Sequence, residues 1–169
     1  EDLVQAIKYI FAHAEELDID TTDYALMGFS AGAHLAACFG TELLGYKKYG
    51  LQKPGTIILG YPVVTMGEKT HEGSREFLLG PENIGNEALK TQFSIEKQIT
   101  DAFPPIYVWQ CEEDESVPIE NSQMLVEALK EKKIPYEYEV FPGNAHGWGV
   151  GIGTAAEGWI DRAITFWKH

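Results

Sequence analysis

The chain has 169 residues, 44% of them hydrophobic and 12% aromatic, which suits one globular domain with a sizeable core. A formal net charge of −13 argues against a nucleic-acid partner, whose phosphates it would repel; it reads first as a well-solvated acidic surface, with a weak bias towards neutral or cationic substrates. No apolar run approaches the roughly 18 residues needed to span a membrane.

In chain order, Leu3, Ile7, Ile10, Ala14 and Leu17 recur at spacings of three and four, predicting one amphipathic helix that leads through Asp20-Thr21-Thr22-Asp23 into a strand. Tyr24-Ala25-Leu26-Met27 is apolar and short enough for a buried parallel strand, and the run from Ala31 to Phe39 favours helix. Between them lies Gly28-Phe29-Ser30-Ala31-Gly32. A serine at such a bend projects its hydroxyl out of the sheet, and a tight bend needs small neighbours, since a side chain at Gly28 or Gly32 would collide with the adjoining strand or helix. The helix beginning at Ala31 aims its free N–H groups and positive dipole end at the bend, making the Ala31 N–H the natural first donor to an oxyanion. The plain alternative is a helix-capping serine in a glycine-rich turn.

Thr56-Ile57-Ile58-Leu59-Gly60 reads as the next strand, followed by Tyr61-Pro62-Val63-Val64 and by residues 65–92, rich in Gly, Glu and Asn, with a short helix at Glu87-Ala88-Leu89-Lys90. The strand-like run from Pro105 to Cys111 empties into Glu112, Glu113, Asp114 and Glu115, a carboxylate cluster at the strand end where open α/β sheets place their chemistry. Tyr136 to Phe141 alternates like a strand and runs into Pro142-Gly143-Asn144-Ala145-His146-Gly147-Trp148-Gly149. After Gly158, the stripe Ile160, Ala163, Ile164 and Trp167 predicts a closing helix. The pattern is α/β with a mostly parallel sheet, and no repeat, low-complexity tract or linker interrupts it.

A serine hydroxyl needs a base to take its proton, and the base needs an acid to orient it, in the order Ser, Asp or Glu, His. Ser30, the cluster at 112–115 and His146 supply that order, with four carboxylates open for the acid. Trp148 reads either as a pocket wall or as packing. His34, on the helix after the bend, reads as packed and hydrogen-bonded; His13 on the first helix, His71 in a polar loop and His169 at the terminus read as solvent-facing or structural. No Cys or His pair has metal-ligand spacing, so no metal and no cofactor are expected. Cys38 and Cys111 read as free buried thiols, which leans cytoplasmic unless an upstream leader directs export.

Gly-Phe-Ser-Ala-Gly-Ala-His-Leu-Ala (28–36), Asp114-Glu115-Ser116-Val117-Pro118 with Glu120-Asn121-Ser122, and Phe141-Pro142-Gly143-Asn144-Ala145-His146-Gly147 together resemble the α/β-hydrolase esterases, within them the acetyl-esterase and carbohydrate-esterase-like branch. Ser94-Ile95-Glu96-Lys97-Gln98, and Thr100 before Pro104-Pro105, extend the likeness over nearly the whole chain. The resemblance implies an α/β-hydrolase fold, with Ser30 as nucleophile, His146 as general base and then acid, and Asp114 as orienting carboxylate through the Asp-x-x-Val-Pro spacing, Glu113 being the next choice. It implies a serine carboxylesterase acting on short-chain acyl esters, such as acetyl groups on sugars, and for residues 65–92 either a cap over the site or a surface loop without substrate contact. Ala33 stands where the branch often has glycine, a change for helix packing alone. A prolyl-oligopeptidase-type peptidase shares these features, and a non-catalytic domain keeping only the fold is the reading from another class.

The resemblance also marks what this chain does not carry. The family's second oxyanion donor sits on a glycine-rich loop well before the serine, whereas 29 residues precede Ser30. By resemblance the chain starts at the helix before the family's fifth strand and supplies half the sheet, its four strands in contiguous order. The strand before Ser30 is then an apolar edge, expected to be covered by an N-terminal segment of a longer polypeptide or by a second copy.

Overall fold

Strands whose residues are apolar on both sides of the pleat are stable only where helices cover both faces, and that condition shapes this molecule. The computed structural model describes residues 1–169. Its elements are α1 (Asp2–Ala12), β1 (Ala25–Phe29), α2 (Ala31–Gly40), β2 (Thr56–Gly60), α3 (Glu72–Leu79), α4 (Glu87–Phe93), β3 (Ile106–Cys111), α5 (Glu120–Glu131), β4 (Tyr136–Phe141) and α6 (Trp159–Trp167). The strands form one parallel sheet in the order β1-β2-β3-β4, with Gly28 opposite Leu59 and Leu59 opposite Val108. Every residue of β2 and β3 is buried.

Alternation along the strands divides the core into two layers. Ile57, Leu59, Ile106 and Val108 pack under α2 and α5 against Ala33, Ala37, Leu125 and Leu129. Ile58, Tyr107, Trp109 and Cys111 face the other way, against Trp159 and Ala163 of α6. The four strands and their order agree with the sequence expectation, and β1 lies at the sheet edge with Met27 45% exposed.

Three expectations change. The first helix ends at Ala12 rather than running on to Leu17: His13 donates its N–H to Tyr9 and Ile10, and Leu17 is exposed with no apolar surface to reward further helix. His13 therefore caps that helix instead of lying on it. The middle segment holds α3, unseen in the sequence because its N-cap is unconventional: His71 Nδ1 accepts from the Ser74 N–H. In the closing helix the deepest residue is Trp159, fully buried and one position before the predicted stripe.

Candidate active site

Ser30 leaves β1 at φ 53° and ψ −123°, a backbone conformation that side-chain-bearing residues disfavour. The surroundings hold it there. Its N–H donates to Gly60 O at 3.1 Å, and its carbonyl accepts from Ala33 N at 3.1 Å, His34 N at 3.3 Å and Val63 N at 3.2 Å. Gly28 permits the close approach, since a Cβ there would stand 2.8 Å from Ala33 Cα and clash with the Gly32 carbonyl. The expectation for Gly32 was wrong: a Cβ there meets nothing within 4 Å, because its open side faces away from both strand and helix. Ser30 sits at the N-cap of α2 yet makes no side-chain cap bond, which removes the plain capping alternative. The Ala31 N–H, first in the helix and exposed, has no acceptor within the protein.

The Ser30 hydroxyl lies 2.9 Å from His146 Nε2, and His146 Nδ1 lies 2.8 Å from Asp114 Oδ2. Asp114 has a fully buried side chain whose Oδ1 accepts the N–H groups of Ser116 and Val117, both at 2.9 Å, while Gln110 Nε2 reaches Oδ2 at 3.4 Å. With the carboxylate accepting on every side, Nδ1 carries the imidazole proton and Nε2 is left to accept from the serine. Glu112, Glu113 and Glu115 are exposed, their N–H groups donating to Phe141, Gly143 and Asn144 and zipping the acid loop to the histidine loop. Geometry thus separates Asp114 from its three neighbours.

Two further residues stiffen this end of the sheet. Gln110, the one amide in an otherwise apolar strand, donates to Val117 O at 2.6 Å and holds the acid loop's turn. Asn121 Oδ1 accepts from Val64 and Thr65 while Nδ2 donates to Lys69 and Pro118, pinning the chain after β2 to the start of α5. Burial, with the Asp114 charge adding to it, pushes the Cys111 thiol up to about 11, and burial pushes Cys38 up to about 12, so neither is a ready nucleophile.

A cavity of about 570 Å³ opens beside the elbow, with Ala31 and Leu35 on one wall, Val63 and Met66 behind, and Phe77 and Phe93 from the 65–92 region and its end. His34 ties the walls together: its Nε2 lies 2.8 Å from Phe93 O, and burial lowers its pKa, so the neutral ring donates there and leaves Nδ1 facing Cys38 Sγ at 3.6 Å. Trp148 does not line this cavity. Its ring covers Gly143, where a Cβ would come within 3.1 Å of it, and it packs on the α6-side core. Tyr61, which the sequence reading passed over, packs its ring against His146 with centroids 4.6 Å apart.

A parallel sheet covered by helices on both faces, with a serine on a strained strand-to-helix turn and a histidine and carboxylate on the following strand ends, defines an α/β-hydrolase. Residues 1–129 match the BD-FAE family, and the chain belongs to it. It is 40% identical over 94% of its length to endo-1,4-beta-xylanase B of Butyrivibrio fibrisolvens and 28% identical over 89% to an acetylxylan esterase of Xylanibacter ruminicola. Among solved structures it is similar to an acetyl ester-xyloside bifunctional hydrolase from Caldicellulosiruptor lactoaceticus (TM-score 0.82, 32% identity, 98% of this chain and 65% of that one). It is also similar to a carboxylesterase from Lactobacillus plantarum (TM-score 0.76, 25% identity, 98% and 65%). The chain spans 26% and 31% of the two curated relatives.

Proposed function

We propose that this chain is the nucleophile-bearing part of a serine carboxylesterase that hydrolyses short-chain acyl esters, acetyl groups on sugars among them. The observation that carries the reading is the unbroken path from Ser30 through His146 to Asp114, 2.9 and 2.8 Å long, ending on a serine that caps nothing. Neighbours named as an acetyl ester-xyloside hydrolase and an acetylxylan esterase support the acetyl and sugar assignment.

In this reading His146 Nε2 takes the Ser30 proton as Oγ attacks the ester carbonyl, and Asp114 steadies the imidazolium without itself taking the proton. The Ala31 N–H donates to the oxyanion, and a second donor comes from outside these residues. Collapse expels the alcohol, which receives its proton from His146. Water, deprotonated by the same histidine, then releases the acid and restores Ser30. The cavity beside Ala31 takes the apolar part of the ester, with the 65–92 segment as its cap.

The test is intact-mass detection of fluorophosphonate labelling on the chain beside Ser30→Ala, Asp114→Asn and Glu113→Gln. The expected result is labelling lost in Ser30→Ala, slowed about 10³- to 10⁴-fold in Asp114→Asn, and unchanged in Glu113→Gln. Loss with Glu113→Gln and retention with Asp114→Asn would reassign the acid.

A further inference from the structure

We propose that Tyr61 is a positioning residue for His146, its ring forming the wall that fixes the plane of the imidazole between Ser30 and Asp114; this rests on the esterase reading above. The histidine is carried on a glycine-rich loop. Gly143, Gly147, Gly149, Gly151 and Gly153 all have positive φ, so the backbone on both sides of His146 takes conformations that glycine adopts freely. Two hydrogen bonds fix the ring nitrogens of His146 but leave the ring free to rock about the line between them.

Tyr61 supplies the missing restraint. It leaves β2 at φ 38°, a conformation disfavoured for any residue with a Cβ, and it is held there by a 2.7 Å bond from its N–H to Trp109 O. Its ring meets Trp109 edge-on at 5.0 Å, stacks on Phe29 at 5.6 Å and meets the imidazole at 4.6 Å with an interplanar angle of 68°. One rigid, buried ring therefore touches both the residue before the nucleophile and the base. A strained residue held in place by its surroundings, with its side chain on the chemistry, is where such strain acquires a role.

The contact with the imidazole is made by the ring, while the hydroxyl meets the histidine loop only at the Gly149 backbone. Burial pushes the phenol above its ordinary range, against the Gly149 N–H that lowers it, and the hydroxyl forms no hydrogen bond with Ser30, His146 or Asp114. The two parts of the side chain therefore separate by substitution.

The experiment compares Tyr61→Leu and Tyr61→Phe with wild type for the rate of fluorophosphonate labelling at Ser30, and for kcat and KM on p-nitrophenyl acetate. Tyr107→Leu serves as a packing control, because Tyr107 belongs to the same aromatic cluster without touching His146. The expected result is labelling and kcat at least tenfold lower in Tyr61→Leu with KM within twofold, wild-type rates in Tyr61→Phe, and wild-type rates in Tyr107→Leu despite a lower melting temperature. Wild-type rates in Tyr61→Leu overturn the inference and leave the esterase reading standing. A tenfold loss in Tyr61→Phe also overturns it, and does so even if Tyr61→Leu fails to fold. All rates are measured on the longer native polypeptide that supplies the second oxyanion donor, and wild type that does not label there overturns the esterase reading and this inference with it.

Discussion

Gly28 and Gly32 flank Ser30 symmetrically in sequence and unequally in space. A methyl at Gly28 has nowhere to go, because α2 backbone atoms lie against it and backbone does not yield as a flexible side chain does. A methyl at Gly32 points into open space on the first turn of a helix, where alanine is favoured over glycine by up to about 1 kcal/mol. Gly28→Ala is therefore expected to destabilise by more than about 2 kcal/mol, and Gly32→Ala to be neutral or slightly stabilising, as measured by urea unfolding. Equal losses would mean that the pentapeptide acts as a symmetric motif. The same asymmetry limits what residues reveal in sequence. Ser30, the carboxylate cluster and His146 were legible because each falls just past a strand, and strand ends are visible in apolar runs. Asp114 was not separable from Glu113 by residue type; its spacing to Val117 and Pro118 singled it out through resemblance, and its burial does so physically. Tyr61 left no signal, since its contact with His146 joins residues 85 positions apart and depends on a backbone strain that no composition announces.

At the scale of elements, strands were easier to read than the segments between them. β2 and β3 are continuous apolar runs bounded by glycine, proline or charge, whereas α3 is short, polar and capped by a histidine, so neither period nor cap betrays it. The 3₁₀ turn Ile95–Lys97 that follows α4 shows what such a connecting piece conceals. Glu96 sits there partly buried with Oε2 unpartnered, and burial raises its pKa more than its hydrogen bonds and Lys97 lower it. A carboxyl whose folded pKa lies above its unfolded value binds its proton more tightly in the folded state. Its contribution to stability is thus fully present below the unfolded pKa and is lost as pH rises through the folded pKa. Glu96→Gln, which cannot ionise, should match wild type in melting temperature near pH 4 and exceed it near pH 8. A lower melting temperature for the variant at pH 8 would show that the ionised carboxylate is stabilised where it stands.

At the scale of the molecule, the α/β class followed from two facts readable in sequence, the apolar runs of β2 and β3 and the helical stretches that separate the strands, whereas the order of the strands came only through the family resemblance. The depth of the core was less legible, because the layer against α6 depends on Trp109 and Trp159 meeting at 5.3 Å across fifty residues. Charge acts at this scale too. There are 26 acidic side chains against 13 lysines and arginines, and four lysine or arginine pairs with carboxylates form: Lys47 with Glu42, Lys69 with Glu120, Lys90 with Glu87, and Arg162 with Glu139. Each includes at least one well-exposed partner, where an ion pair contributes only about 0–1 kcal/mol. Self-repulsion among the remaining carboxylates opposes the compact state, and it weakens as the screening length falls from about 30 Å at 0.01 M salt to about 3 Å at 1 M. Sodium chloride should therefore raise the melting temperature at neutral pH, steeply at low concentration and with little further gain once screening is complete. A fall over the same range would mean that the four pairs outweigh the excess of negative charge.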